Sequence, residues 1–308
     1  MHFKCRRCWK ITDELTTHCD SCGMPNTLDE IDSNGEAVQS GRIIVPGYES
    51  DIIDVDSEVV EEDDRREKSV PITEVEEPEI NRCESGLEEF DEVLSGGPAF
   101  GTTIMIHGDP GVGKSTILAQ VLSYMAEELD MKVEFATAEE NKKMIVEKVG
   151  RTAKLHENLR VIATNDFEAV MADVDENEID VLVLDSLQYF TSRNVTGGKG
   201  SPNQVKYIAE KAYEKSKERS KEDPEALDLM IFITCHENKE GEAAGPKFVE
   251  HAIDTMLEFR WVSEEDQTLE LRCSKSRVGS TKHVGTFSKL ENGTIVSVKT
   301  EKSKKKVA

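Results

Sequence analysis

Residues 103–116 read Thr103-Ile104-Met105-Ile106-His107-Gly108-Asp109-Pro110-Gly111-Val112-Gly113-Lys114-Ser115-Thr116, and this stretch decides the fold. Its first five residues form a β-prone apolar run, and the rest matches G-x-x-x-x-G-K-[ST]. Ile117, Leu118, Val121, Leu122, Met125 and Leu129 then recur at helical spacing. A strand, a glycine-rich loop and a helix in that order make a cradle for a polyphosphate. The glycines let backbone N–H groups wrap the anion, and the helix N-terminus adds its dipole. Residues Gly108, Asp109, Pro110, Gly111, Val112, Gly113, Lys114, Ser115 and Thr116 are therefore the expected nucleotide site. Lys114 reaches the outer phosphates and Ser115 takes a position on Mg²⁺.

Further along, Val181-Leu182-Val183-Leu184 is a continuous apolar strand ending in Asp185. Such a run belongs to a sheet covered on both faces. A carboxylate at its C-terminal end sits where ligands bind in parallel α/β sheets and suits a second anchor for Mg²⁺. Val133–Thr137 is another strand, followed by Ala138-Glu139-Glu140-Asn141. Glu139 there can orient an attacking water. A glutamate at a helix start also complements the dipole and nothing more, and the pattern alone leaves both roles open. Further strands are expected at 159–163, 229–235, 256–260 and 268–274, with helices at about 86–94, 139–151, 166–173 and 204–221. The alternation predicts an α/β fold with a doubly wound, mostly parallel sheet, closed by antiparallel strands up to residue 298.

The N-terminus is of another kind. Cys5-x-x-Cys8 and Cys19-x-x-Cys22-Gly23 are two metal-binding knuckles, and four thiolates close a tetrahedral Zn²⁺ site without an open position. The site is expected to be structural, since a unit this small folds on its metal. Cys83, Cys235 and Cys273 are isolated and expected to be buried or inert. Residues 1–29 form this module. Residues 30–71 follow as an acidic, self-repelling and disordered linker, exemplified by EVVEEDDRREK at 58–68. Residues 72–298 form the phosphate-binding domain, and 299–308 a lysine-rich tail.

Asp and Glu number 62 against 38 Lys and Arg, a net charge of -24. A broad nucleic-acid surface is usually basic, so any such contact here must be a local stripe. No apolar run approaches the ~20 residues of a membrane helix. The cysteine bunching argues for a reducing compartment rather than disulfides.

Taken together, these residues resemble the RadA/Sms family of RecA-like DNA repair ATPases. The likeness includes the Cys-x-x-Cys pairs followed by Pro25-Asn26-Thr27-Leu28, GLEEFDEVLSGG at 86–97 and GDPGVGKST at 108–116. It continues through Ala138-Glu139-Glu140, LDSLQ at 184–188, His236 to Gly241, Ala244-Gly245-Pro246-Lys247, Val249-Glu250-His251 and Asp254-Thr255. Lys275-Ser276-Arg277-Val278-Gly279 is similar to the family's K-N-R-F-G. The resemblance implies a RecA-like P-loop core. It implies a homo-hexamer that uses ATP to move on single-stranded DNA and to drive branch migration, with a recombinase or helicase as protein partner. Glu139 is then the catalytic glutamate, and Lys275 and Arg277 reach the γ-phosphate of a neighbouring subunit. Two cations two residues apart on a strand point to one side, as that role needs.

The loop 192–201 and the loop 236–247 correspond to channel-facing loops in RecA-like rings. Arg193, Lys199, Lys239 and Lys247 are the expected DNA contacts. The sequence departs from the family in lacking its C-terminal Lon-protease-like domain, in Ser276 and Val278, and in the long acidic linker. A compact form of this kind suits a bacteriophage, and the expected location is the cytoplasm, the host's if phage-encoded. Two other readings stay open: a replicative-type DNA helicase, and a nucleotide-switched DNA-binding adaptor that does not move processively.

Overall fold

The computed structural model describes residues 2–5, 10–13, 19–21, 28–31, 69, 71, 73, 80–223, 226–236 and 247–299. Two compact units divide the chain, 1–75 and 76–308.

In the first unit, β1 (His2–Cys5) lies between β2 (Ile11–Thr12) and β3 (Leu28–Ile31), antiparallel to both. The Cys5 N–H donates to the Lys10 carbonyl at 2.9 Å. Cys5 and Cys19 are buried and share a small core with Phe3. Cys8 and Cys22, and the linker 30–71 apart from isolated residues, lie outside the described residues.

The second unit opens with α1 (Glu88–Val93), β4 (Thr103–Gly108) and α2 (Lys114–Glu128). Next come β5 (Val133–Thr137), α3 (Lys142–Thr152), β6 (Leu159–Ala163), α4 (Phe167–Asn177) and β7 (Val181–Asp185). After α5 (Pro202–Lys215) and α6 (Arg219–Glu222), the chain forms β8 (Met230–His236), β9 (Thr255–Ser263), β10 (Thr268–Ser276), β11 (Val284–Lys289) and β12 (Ile295–Ser297). The sheet order is β12-β11-β10-β9-β4-β8-β7-β5-β6. From β9 to β6 the neighbours are parallel, and from β9 to β12 they are antiparallel.

This is the doubly wound sheet with antiparallel C-terminal strands that the sequence predicts. Strands β4, β5 and β7 are buried along their whole length because helices cover both faces. One face packs Phe90, Ile117, Leu118, Val121, Leu122 and Met125 against Phe135, Val183 and Phe232. The other packs Phe167, Val170, Val205 and Ile208 against Leu182, Leu184 and Ile231. Each such fully buried side chain stabilises the fold by about 1.5–3 kcal/mol relative to exposure.

Several boundaries differ from expectation by a few residues, and two of these differences are in helices, α3 and α5. Helix α3 starts at Lys142, not at Glu139, because the Asn141 side chain accepts the Met144 N–H at 3.1 Å and caps the helix there. Glu139 is thereby left in the loop. The helix expected over 204–221 ends at Lys215, and a separate short α6 follows. Among the described residues no helix is long and apolar enough to cross a membrane.

Candidate nucleotide site

The C-terminal ends of the parallel strands meet at one edge of the sheet. Gly108 at the end of β4 is paired with His236 at the end of β8, and Thr137 of β5 with Asp185 of β7. The loop after β4 therefore opens onto a cleft of about 300 Å³ lined by Lys114, Ser115, Glu139, Asp185, His236 and Lys289, among others.

Gly108 leaves the strand at φ +148°, and Gly111 turns the loop at φ +82°. Lys114 is buried, and its ammonium donates to the carbonyls of Gly108 at 2.7 Å and Asp109 at 3.0 Å. The loop thus holds its own cation at the mouth of the helix. The first N–H groups of α2 have no intrahelical acceptors and face an incoming anion.

Ser115 Oγ donates to Asp185 Oδ1 at 3.0 Å, and Thr234 Oγ1 donates to the same oxygen at 2.5 Å. Burial pushes the Asp185 carboxyl above its ordinary range, while the two hydroxyls pull it back. A hydroxyl and a carboxylate in contact, next to a phosphate cradle, are the hard oxygen donors that Mg²⁺ takes.

Glu139 stands across the cleft. Thr137 Oγ1 accepts its N–H at 3.3 Å and that of Glu140 at 3.0 Å, which fixes the turn after β5. Glu139 Oε1 accepts a hydrogen bond from Ser186 and lies 3.2 Å from His236 Nε2. His236 Nδ1 is buried without a hydrogen-bond partner. Sequence reasoning gives His236 no role. The signal for it is the one that Asp185 gives: it ends a buried apolar strand. The sequence does not single out Lys148 either, which pairs with Glu140 at 2.9 Å in the same cleft.

Lys275 and Arg277 are placed elsewhere. Ser276 on β10 is paired with Thr255, which is paired with Ile104 at the start of β4. The P-loop leaves the other end of β4, about 13 Å along the strand at ~3.3 Å per residue. The Lys275 ammonium donates to the carbonyls of Glu250 and Ile253. Burial, with Arg277 beside it, lowers the Lys275 pKa. Arg277 donates to Asp254 Oδ1 at 3.2 Å and to the His251 carbonyl at 2.7 Å, with its guanidinium 5.4 Å from the Tyr213 ring centre. This chain therefore does not bring its own Lys275 and Arg277 to its P-loop.

Arg193 and Lys199 are exposed on the loop after β7. The polar, glycine-rich composition of this loop suggests flexibility, yet Gln204 of α5 ties it down. Gln204 accepts the Ser192 N–H at 2.7 Å and donates to the carbonyls of Ser192, Val195 and Gly197. The Lys199 ammonium sits 4.1 Å above the Tyr189 ring, and that ring packs edge-on against His236. Lys239 and the side chain of Lys247 lie outside the described residues.

Of the isolated cysteines, Cys235 and Cys273 are buried. Burial pushes the Cys83 thiol up to about 12 and raises that of Cys273, so both are held as inert thiols.

Residues 83–191 match the family model described as "ATPase: KaiC". The chain is 33% identical over 232 residues to the DNA repair protein RadA of Streptococcus pneumoniae, covering 75% of this chain and 52% of that protein. The likeness to RadA of Streptococcus pyogenes extends over 297 residues at 28% identity, 96% of this chain and 59% of the other. The chain is a RecA-like relative of the RadA proteins. It spans little more than half the length of these two. Among solved structures, a DnaB-like replicative helicase described with its interactions with primase superimposes with a TM-score of 0.60 at 14% identity, over 72% of this chain and 63% of that one. At that identity the likeness is one of fold. The RadA likeness and the KaiC-type match agree on an ATPase domain, with the P-loop, Glu139 and Asp185 all inside the matched segment.

Proposed function

We propose that this protein is a DNA-dependent ATPase of DNA repair and recombination that moves on single-stranded DNA and promotes branch migration. The observation that carries the reading is the joint placement of Lys114, the Ser115–Asp185 pair and Glu139 around one cleft at the sheet edge. Backbone N–H groups of the P-loop and Lys114 hold the phosphates of ATP. Mg²⁺ on Ser115 and Asp185 would neutralise charge on the outer phosphates. Glu139, oriented by Ser186 and His236, aligns the water that attacks the γ-phosphate and draws off its proton. Lys275 and Arg277 complete the site of an adjacent copy in a ring, which accords with their place at the far end of the sheet.

His236 touches Glu139 and opens the stretch 236–247 that the sequence offers as a DNA-facing loop, so a change at the γ-phosphate would be passed to it. Arg193, Lys199, Lys239 and Lys247 on the two loops are the proposed grips on DNA phosphates. Cys5 and Cys19 already share one small core, which fits a four-thiolate Zn²⁺ site completed by Cys8 and Cys22. That module is the proposed dock for a recombinase or helicase. A homo-hexamer in the cytoplasm is the expected form. The fold likeness to a DnaB-like helicase favours a replicative helicase as the second reading.

ATP turnover measured with and without single-stranded DNA tests the proposal. Strong stimulation, coupled to strand displacement on branched DNA, is expected. Glu139→Gln should keep nucleotide binding and lose turnover by about 100-fold or more. ATP-dependent DNA binding with negligible turnover would instead establish a nucleotide-switched adaptor.

A further inference from the structure

The nucleotide cleft has a second wall, built from the C-terminal strands. Lys289 at the end of β11 lines the cleft together with Gly113, Lys114, Ser115 and Thr116. It is paired with Ile295 of β12, and its N–H donates to the Gln267 carbonyl at 2.9 Å. Ile295 is in turn fastened to the first turns of α2. Gln120 donates to its carbonyl and accepts its N–H, each at 2.9 Å. A Cβ built on Gly113 would lie 2.9 Å from the Ile295 side chain. Lys289 is therefore held above the point where the P-loop becomes helix, on a rigid hairpin.

The charges around it are uneven. Lys114 is engaged by two carbonyls, and Lys148 is paired with Glu140. The Lys289 ammonium has no carboxylate partner among the described residues, and its neighbour is the Trp261 ring, 5.4 Å away. A half-buried cation resting on an indole and facing a phosphate cradle is short of an anion. Glu139 and Asp185 mark the end of the cleft where the outermost phosphate and its metal belong. Those two residues reach the cleft from β5 and β7, on one side of β4 in the sheet, and Lys289 reaches it from β11, on the other side, away from the outermost phosphate.

We propose that Lys289 binds the inner phosphates, those common to ATP and ADP, and that Trp261 holds the ammonium until nucleotide arrives. The proposal rests on the nucleotide reading of the cleft. It makes the C-terminal hairpin part of the same protomer's binding site.

The test compares ATP and ADP affinities of the full chain with those of Lys289→Met and Lys289→Arg. Lys289→Met should weaken both nucleotides by about tenfold and by the same factor, with Lys289→Arg in between, while the melting temperature stays put. Unchanged affinities, or a loss confined to ATP, would overturn the assignment. A second readout does not depend on these variants folding. Trp9 and Trp261 are the two tryptophans of the chain, so Trp9→Phe leaves Trp261 as the reporter. Saturating ADP should change its emission as Lys289 leaves the ring, and an emission that does not move counts against the proposal. Should the wild-type chain bind neither nucleotide, the reading of the cleft itself falls. Wild-type binding with an indifferent Lys289→Met removes the role of Lys289 alone.

Discussion

At Gly108 and Gly111 the same residue type answers two different demands. Gly108 sits where β4 meets β9, and a Cβ there would stand 2.0 Å from the Phe259 carbonyl oxygen. Gly111 has a positive φ as well, yet no atom lies within 4 Å of a Cβ built on it. Gly108→Ala must push two paired strands apart and is expected to lose more than about 3 kcal/mol. Gly111→Ala bears backbone strain alone, about 1–2 kcal/mol. Urea denaturation of the two variants checks this, and equal losses would contradict it. Residues such as Lys114, Ser115 and Asp185 announce themselves because their partners are local or follow a known strand pattern. Lys289 does not, and His236 does so only as the end of an apolar strand. They join the cleft through strands that return from 122 and 175 residues beyond Lys114, and no local spacing encodes that meeting.

At the scale of elements, the β5–α4 contact carries a buried acid. Glu134 is fully buried, and the acid close enough to share its proton is Asp173 of α4. Burial, and Asp173 of α4 beside it, push its carboxyl up to about 9, against smaller opposing pulls from Arg160 and Lys142. The folded protein therefore keeps a proton that the unfolded chain releases in the ordinary carboxylate range. Stability from this group is full below that range and is lost as pH rises towards about 9. Glu134→Gln should match the wild type near pH 4 and exceed it near pH 8 in thermal melts. A variant with the same pH slope as the wild type would contradict the assignment.

The sequence reads this strand well, since Val133–Thr137 is apolar enough to be recognised with its ends correct. It reads less well where a side chain caps a helix or pins a loop. Asn141 moves the start of α3 past Glu139, and that shift frees the glutamate to face the cleft. Gln204 orders the loop 192–201, whose composition alone suggests flexibility. Both effects come from single polar contacts that hydrophobic periodicity does not register.

For the whole molecule, the telling feature is the separation of Lys275 and Arg277 from the P-loop of their own chain. In the proposed ring, a head-to-tail assembly would bring this end of one protomer to the nucleotide edge of the next, as heterologous ring interfaces do. Arg277 can be removed without stranding its partner, because Asp254 also accepts from Lys217 at 2.9 Å and from the Thr103 N–H and hydroxyl. The most direct measurement is therefore DNA-stimulated ATP turnover in mixtures of Lys114→Ala and Arg277→Ala subunits, each inactive alone. Equal mixing should restore about a quarter of wild-type turnover, from interfaces that join an intact P-loop to an intact Arg277. No recovery in assemblies shown by mass to contain both subunits would contradict the account.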